Sequence, residues 1–460
     1  MKKKKVFVLL PDGVGLRNFA YSKFYEIGKQ FYDISFWNNT PFNLSDLNYK
    51  EIKFNKPVIH SLTDVLKNGL IQASLTKNKK EEQDAVYDTY RFPASKKGLK
   101  NRIKNSIVTF LNSSFSNQKG ILKLRNLINS LERKTTYYKN CKATLEKEKP
   151  DFIFCTNQRP IIAVAPLLAA KDLNIHTATF IFSWDNLPKA TMVVQTDYYF
   201  VWSEHMKNEL MHYHPEINSN QILITGTPQF EAHFDQNLYQ EKEVFFNENK
   251  LDSNKKYICY SGDDITTCPD DEKYLRDVAL AVKALNKKGH NLGLIFRRCP
   301  VDFSTRYDAV LQEFKDVIVP VNPAWIKIGE GWNTVLPTIK DNQVLINTIK
   351  HSELVINLGS SMVFDFAVFN KPCFYINYDV PNKLIFDWSV KKIYNFVHFR
   401  SMPNKNAVVW VNSPSNYEKL IEENLNKNCS EDAFKWFEKI TEQPADKASE
   451  RIWNAINTLI

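Results

Sequence analysis

Two doubly wound α/β domains, each built on a parallel sheet, followed by a C-terminal helical segment, are the fold this sequence predicts. Three observations predict it. The chain has 460 residues, 43% of them hydrophobic, more apolar material than one core usually holds. Short apolar runs alternate with stretches long enough for helices of ten or more residues, the pattern of parallel sheets covered on both faces. The alternation comes as two series, and the chain closes on "EDAFKWFEKITEQPADKASERIWNAINTLI", which reads as two helices broken at Pro444.

The first series of strands is "KVFVLL", "YDISFWN", "KPVIHSL", "DFIFCT", "HTATFIFSW", "YYFVWS" and "QILITG". The second is "KYICYSG", "LGLIFRR", "DVIVPVN", "ELVINLG", "PCFYINY" and "AVVWVN". They divide the chain into an N-terminal domain (1–230), a C-terminal domain (231–430) and closing helices (431–460), in which Trp436, Phe437, Trp453 and Ile456 supply the packing face. The polar stretch "FDQNLYQEKEVFFNENKLDSNKK" follows the last strand of the first series and reads as the linker. Within the first domain, about 90–149 is rich in lysine and arginine, and Ile103, Ile107, Val108 and Leu111 fall on one helical face. Such helices either pack on the first sheet with a solvated outer face or present a basic amphipathic surface to an anionic membrane.

Composition narrows the function classes. No apolar run approaches the roughly 20 residues that span a bilayer, and "VFVLL" is too short for a signal-peptide core, so "MKKKKVFVLLPDG" reads as a first strand. The seven cysteines show no paired spacing and suit a reducing, cytoplasmic compartment. His212 and His214 form the nearest approach to a metal pair but have no further ligand at useful spacing; no metal is expected. The net charge of +10 suits a polyanionic partner or an anionic membrane face. No nucleic-acid-binding motif accompanies it, and nucleic acid is not expected as a partner.

The stretch "ELVINLGSSMVFDFAVFNKPCFYINYD" holds the densest chemistry. A strand ends at Gly359, and Ser360 or Ser361 can cap the helix that follows; a helix start offers unpaired N–H groups to phosphate. Asp365, four positions after Ser361, shares its helix face and can accept from ribose hydroxyls. The same residues fit an ordinary serine cap with a solvated aspartate.

This stretch resembles the donor-site element of GT-B glycosyltransferases, and is similar to that of the CDP-glycerol glycerophosphotransferases. Upstream, "GWNTVLPTIKDNQVLINTIKHSELVINLG" resembles the GT-B run that reads the base, and "VWSEHMKNELMHYHPEINSNQILITGTPQFE" resembles the end of the first domain in such enzymes. The resemblance covers nearly the whole second half and thins out before Asp151. It implies that backbone groups of Val335 and Leu336 hold the base, Ser360 and Ser361 the diphosphate, and Asp365 the ribose. In "LIFRRCP" it implies a basic residue facing the donor; strand alternation sends Arg297 and Arg298 to opposite faces, and Arg298 is the candidate. Gly262, ending "YICYSG", is a candidate neighbour of the diphosphate.

For the first domain, the resemblance implies that the loop after the first strand faces a cleft and supplies a catalytic base, for which Asp12 is the candidate; a turn-forming aspartate before Gly13 is the plainer reading. Arg17 and Asn18 either bind the acceptor or cap that loop. "FSWDNLPKA" is similar to a Trp-Asp-Asn motif of some bacterial enzymes of this group. There Asp185 and Asn186 either position the acceptor, with Asp185 a second candidate base, or form an Asx-turn. Arg159, in "CTNQRP", is a candidate for lining the same cleft.

The expectation is a metal-independent glycosyltransferase acting in an interdomain cleft. It would use no cofactor beyond its UDP-, GDP- or TDP-linked sugar donor. Its acceptor would be a glycan or lipid-linked, and its place cytoplasmic, including the inner membrane face. The alternatives are a CDP-glycerol-type polyol phosphotransferase, against which Cys299 stands where a histidine is expected, and a non-catalytic basic binding protein that keeps the fold. A nucleotide-sugar 2-epimerase shares the fold, but the chain shows no match to its catalytic carboxylates.

Overall fold

The computed structural model describes residues 3–91, 98–328 and 335–460. They fall into two compact units, Met1–Pro228 with Ile440–Ile460, and Gln229–Lys439. Each has a parallel sheet at its centre, so the α/β architecture read from the alternation is the observed one.

The first unit's strands are β1 (Lys5–Leu10), β2 (Asp33–Asn38), β3 (Glu51–Lys53), β4 (Phe152–Cys155), β5 (His176–Phe180), β6 (Tyr198–Val201) and β7 (Ile222–Ile224), side by side in the order β3-β2-β1-β4-β5-β6-β7. A strand covered on both faces has no polar side to show, and Val6 to Leu10 are each fully buried. Alternation divides their side chains. Phe7 and Leu9 join Ile153 and Cys155 under the helices Thr63–Glu82, Gln118–Glu132 and Thr136–Glu148, through Leu70, Leu124, Ile128 and Cys141. On the other face Phe154 meets Phe19 and Phe24 at ring-centroid distances of 5.2 and 5.8 Å.

One reading of this unit is corrected. "KPVIHSL" is not a strand; the edge strand is Glu51–Lys53, just upstream. Pro57 has no N–H to give a ladder, and Lys56 before it takes a left-handed φ of 46°. In the helix Leu99–Phe115 only Leu111 is buried, seated against Gly69, where a Cβ would stand 2.6 Å from its Cδ1. Ile103 and Ile107, read as sharing its face, are 53% and 40% exposed.

The second unit's sheet contains β8 (Lys256–Ser261), β9 (Leu292–Arg297), β10 (Ile318–Pro320), β13 (Ser352–Asn357), β14 (Cys373–Ile376) and β15 (Val409–Val411), in the order β10-β9-β8-β13-β14-β15. A short antiparallel pair, β11 (Trp325–Lys327) with β12 (Val335–Pro337), was not foreseen. The stretch read as a linker is instead packed: helix Lys242–Glu248 buries Phe245 and Phe246 with Leu251, Tyr257 and Ile295. Two adjacent phenylalanines in a polar run are the signal that it folds.

The closing helices are Glu431–Ile440, whose Trp436 and Phe437 are buried in the second unit, and Ala448–Leu459, whose Trp453 and Ile456 are buried in the first. Trp453 stacks on Phe24 at 4.6 Å and on Tyr32 at 5.2 Å, and its Nε1 donates to the Phe24 carbonyl at 2.8 Å. A Cβ at Gly28 would stand 2.2 Å from the indole, so the helix carrying Gly28 closes directly on it. Trp453→Ala should therefore destabilise the first unit by about 3–5 kcal/mol. Chemical denaturation checks this, and a loss under about 1 kcal/mol would mean that the C-terminal helix is not integral to that core.

Candidate functional site

Both sheets reverse their strand order once, between β1 and β4 in the first unit and between β8 and β13 in the second. At such a switch point the connections run off to opposite faces and leave a crevice beyond the carboxyl ends of the strands, the usual ligand position in open α/β sheets. Some of the residues singled out in the sequence lie at these two edges, while Val335 and Leu336 lie in the separate β11–β12 pair.

In the first unit, β1 runs into Pro11 and Asp12, and Asp12 caps a short 3-10 turn, accepting from the Val14 N–H at 3.2 Å. Gly15 lets the turn close on β4: a Cβ there would stand 2.6 Å from Thr156 Oγ1. Asn157, just past β4, donates its amide to Asp12 at 3.0 and 3.3 Å and accepts the Arg159 N–H at 3.1 Å. Burial raises the Asp12 pKa above its ordinary 3.8, while Asn157, the Val14 N–H and the charges of Arg159 and Lys67 pull it back. Lys67, on helix Thr63–Glu82, is shifted downward by its own burial, with Arg159 adding to the fall and Asp64 and Asp12 opposing it. The result is a sheltered carboxyl group with two cations near it.

Gln158 extends this cluster to the end of β5. Its amide donates to Asn186 Oδ1 at 3.0 Å and accepts from the Phe182 N–H at 2.9 Å. Asn186 in turn donates to Asp185 at 2.9 Å. Asp185 also accepts from Ser183 at 2.7 Å and pairs with Lys189, so its carboxylate is tied into its own turn. Asn18 is buried with its Nδ2 unpartnered, and Arg17 beside it is partly exposed. The structure therefore brings Asp12, Arg159 and Asn186 into one hydrogen-bonded edge through Asn157 and Gln158. Sequence reasoning missed those two amides; a run of fully buried polar residues after a buried strand is the signal they leave. Lys67 left none.

In the second unit, β13 ends at Asn357, and Gly359 takes a φ of 63°, a conformation glycine adopts without strain. The Ser360 N–H donates to Asn357 Oδ1 at 2.8 Å, Ser360 Oγ accepts from the Met362 N–H at 3.3 Å, and its carbonyl accepts from Tyr375 at 2.9 Å. Ser361 opens the helix Met362–Val368 without a side-chain cap bond. Asp365, the residue expected at the ribose, lies on that helix. It is 4% exposed, and its Oδ1 lies 2.8 Å from His233 Nε2, close enough for an ion pair but out of line for a hydrogen bond. Only packing revealed His233 as its neighbour.

The two arginines part as alternation requires. Arg297 is buried and donates to both oxygens of Asp341 at 3.0 and 3.2 Å, a carboxylate that also accepts from Trp325 Nε1 at 2.7 Å. Arg298 is partly exposed; it donates to the Ser304 carbonyl at 2.6 Å and lies over the Tyr307 ring at 5.0 Å. Gly262 is enclosed: a Cβ would stand 3.1 Å from Asp271, Phe296 and Tyr307 alike, so this glycine admits its own neighbours. Beside it burial, with Asp271 and Asp264 adding, raises Asp263 well above the ordinary carboxylate pKa, and Arg306 opposes the rise while donating to the Asp263 carbonyl at 2.5 Å. Val335 and Leu336 are buried in the β11–β12 ladder, opposite Lys327 and Ile326.

Two α/β units, each a parallel sheet with one reversal of strand order, give this chain a fold that several solved structures share. Among solved structures, the UDP-GlcNAc 2-epimerase of Methanocaldococcus jannaschii is similar over 100% of both chains, with a TM-score of 0.52 and 14% identity. A Listeria monocytogenes protein described as a candidate UDP-N-acetylglucosamine 2-epimerase gives 0.55 at 10% identity, over 99% of this chain and 96% of its own. MnaA of S. aureus, solved with UDP, gives 0.50 at 12% identity over the same shares. No family model and no curated protein matches the sequence. Among the described residues, no helix is long and apolar enough to cross a membrane.

Two outcomes follow from this geometry. Arg297→Ala leaves the Asp341 carboxylate buried without its cation and should cost about 3–5 kcal/mol in denaturation experiments. For Asp12, a pKa raised on folding means that the folded state holds the proton more tightly, so its contribution is complete below the unfolded value near 3.8 and is lost as pH rises through the folded value. The stability of Asp12→Asn relative to the native chain should therefore climb from pH 3.8 upward and level off. A difference independent of pH would show that Asp12 is not held in a desolvated site.

Proposed function

We propose that the chain is a metal-independent glycosyltransferase using a nucleotide-sugar donor. The observation that supports it best is the pairing of two switch-point edges with different chemistry. The first unit's edge carries a sheltered carboxyl, Asp12, among amides and cations. The second carries the serine loop after β13 and the partly exposed Arg298 after β9. In this reading the second edge holds the donor, and Ser360, Ser361 and Arg298 meet the diphosphate. Arginine charge offsets the negative charge that develops on the leaving group. Asp12 takes the proton of the attacking acceptor hydroxyl, a task for which a raised pKa makes it the stronger base. Arg159 and Asn186 orient the acceptor, a glycan or lipid-linked sugar. Asp365 acts behind the loop by positioning its helix against His233.

Two of the similar proteins are named for UDP-GlcNAc or were solved with UDP, which makes a uridine diphosphate sugar the first donor to test, ahead of GDP and TDP sugars. The same likeness favours a second reading, isomerisation of the bound sugar at C2, in which Asp12 would move a proton on the donor itself.

Thermal stability with UDP, GDP, CDP and TDP should show one of them raising the melting temperature by several degrees, and Arg298→Ala should remove most of that shift. No shift with any of the four would sink the donor assignment. Product analysis with the stabilising sugar then separates the chemistries: transfer releases free nucleoside diphosphate, whereas isomerisation returns an altered nucleotide sugar. In either assay Asp12→Asn should lower kcat by about 10²–10⁴-fold while leaving the nucleotide shift intact.

A further inference from the structure

A cavity of about 790 Å³ opens at the carboxyl ends of β14 and β15, next to the serine loop and separate from it. That volume lies within the roughly 300–1,000 Å³ of small-molecule sites. Tyr394, Phe399 and Trp410 form its inner wall, and Lys391 and Lys405 stand on its rim.

The wall is fixed. Tyr394 and Trp410 meet edge to face, with centroids 4.8 Å apart and planes at 81°. Tyr394 donates its hydroxyl to the Ile376 carbonyl at 2.7 Å, and Trp410 donates Nε1 to the Lys405 carbonyl at 2.8 Å. With their polar atoms satisfied by backbone, these rings have only apolar surface to offer. The crossed planes make a corner and not a slot: a flat base would find one platform, whereas a puckered pyranose sets axial C–H bonds against two walls. Asn377, which donates to Asn412 Oδ1 at 2.6 Å, and Asn404, which accepts from the Asn406 N–H, keep further donor and acceptor positions of the kind sugar hydroxyls require.

Charge narrows the ligand further. Among the described residues no carboxylate lines the cavity, and neither Lys391 nor Lys405 has an acidic partner in an ion pair. Two cations over an aromatic corner select a ring that is apolar on one face and anionic at its rim. We propose that this cavity binds an acidic saccharide residue, a pyranose bearing a carboxylate or a phosphate.

The cavity also touches the serine loop from behind. A Cβ at Gly359 would stand 3.0 Å from Phe399 Cζ and 3.3 Å from Tyr394 Cε1, and Tyr375, stacked on Tyr394 at 5.5 Å, holds the Ser360 carbonyl. That the saccharide belongs to the acceptor or growing product rests on the proposed transferase function; the binding itself does not.

Ligand-observed NMR titration of the full chain with glucuronate, glucose 6-phosphate, glucose and UMP tests the proposal. At least one of the two acidic sugars should bind about tenfold more tightly than glucose, and which one does so tells carboxylate from phosphate. Lys391→Ala combined with Lys405→Ala should weaken that binding about tenfold, with the melting temperature unchanged, and Trp410→Ala should abolish it. Equal binding of glucose and the acidic sugars, or no binding of any sugar, would overturn the proposal. So would displacement of the sugars by UMP with the same sensitivity to the lysine pair, which would make the corner a nucleotide site. Because no nucleotide donor is needed, failure here leaves the transferase reading standing, and failure of that reading leaves this result standing.

Discussion

The reversal of strand order at the centre of each sheet is the constraint on which the two polar clusters depend. A parallel sheet must bury both faces, so its strands are apolar throughout and can carry function only where they stop. β1 and β4 stop side by side, with their onward connections diverging, and so do β8 and β13. The backbone groups past those ends lose their ladder partners and must find others. In the first unit, Asn157 and Gln158 meet that need while placing Asp12 and Asn186. In the second, Asn357 and Tyr375 do it for the serine loop. The polar clusters are thus a consequence of satisfying the chain ends past the strands.

Burial then sorts the candidates by task. Asp12 is sheltered enough for burial to raise its pKa, while Asn157 and the Val14 N–H hold its carboxyl in place. Asp365 and Arg297, a helical turn or one residue away from residues at the edge, are enclosed by His233 and Asp341 and serve by fixing the elements that carry their neighbours. Gly262 belongs with these supporting residues, since its missing side chain is space used by Asp271, Phe296 and Tyr307. The loops past β14 and β15 follow a different logic, with satisfied aromatic rings as walls and lysines as rim.

Legibility in the sequence followed the physics of each feature. The strands were read from local apolar runs, and all but one of the runs hold a strand, because strands buried on two faces are apolar throughout and short. "KPVIHSL" misled because it is apolar, while Pro57 denies it a ladder. The edge after β13 was legible from Gly359 and the serines, whose backbone demands are local. The burial of Asp365 was not legible, because helical spacing puts it on a face with Ser361 but does not say whether that face looks outward. Lys67 and His233 were illegible, since each reaches its partner across more than fifty residues of chain, and no pattern in sequence encodes that meeting.

By itself the sequence determined two α/β units built on parallel sheets, because strand composition, turn residues and helix starts are set by forces acting over a few residues. Tertiary structure alone decided which side chains meet in those loops. It raised Asp12 by burying it beside Asn157, turned Asp365 inward, separated Arg297 from Arg298 by giving one of them an acidic partner, and closed Tyr394 and Trp410 into a corner. Burial and proximity are properties of the packed chain, and the pKa of a carboxyl or the reach of a cation follows from them and not from the order of residues.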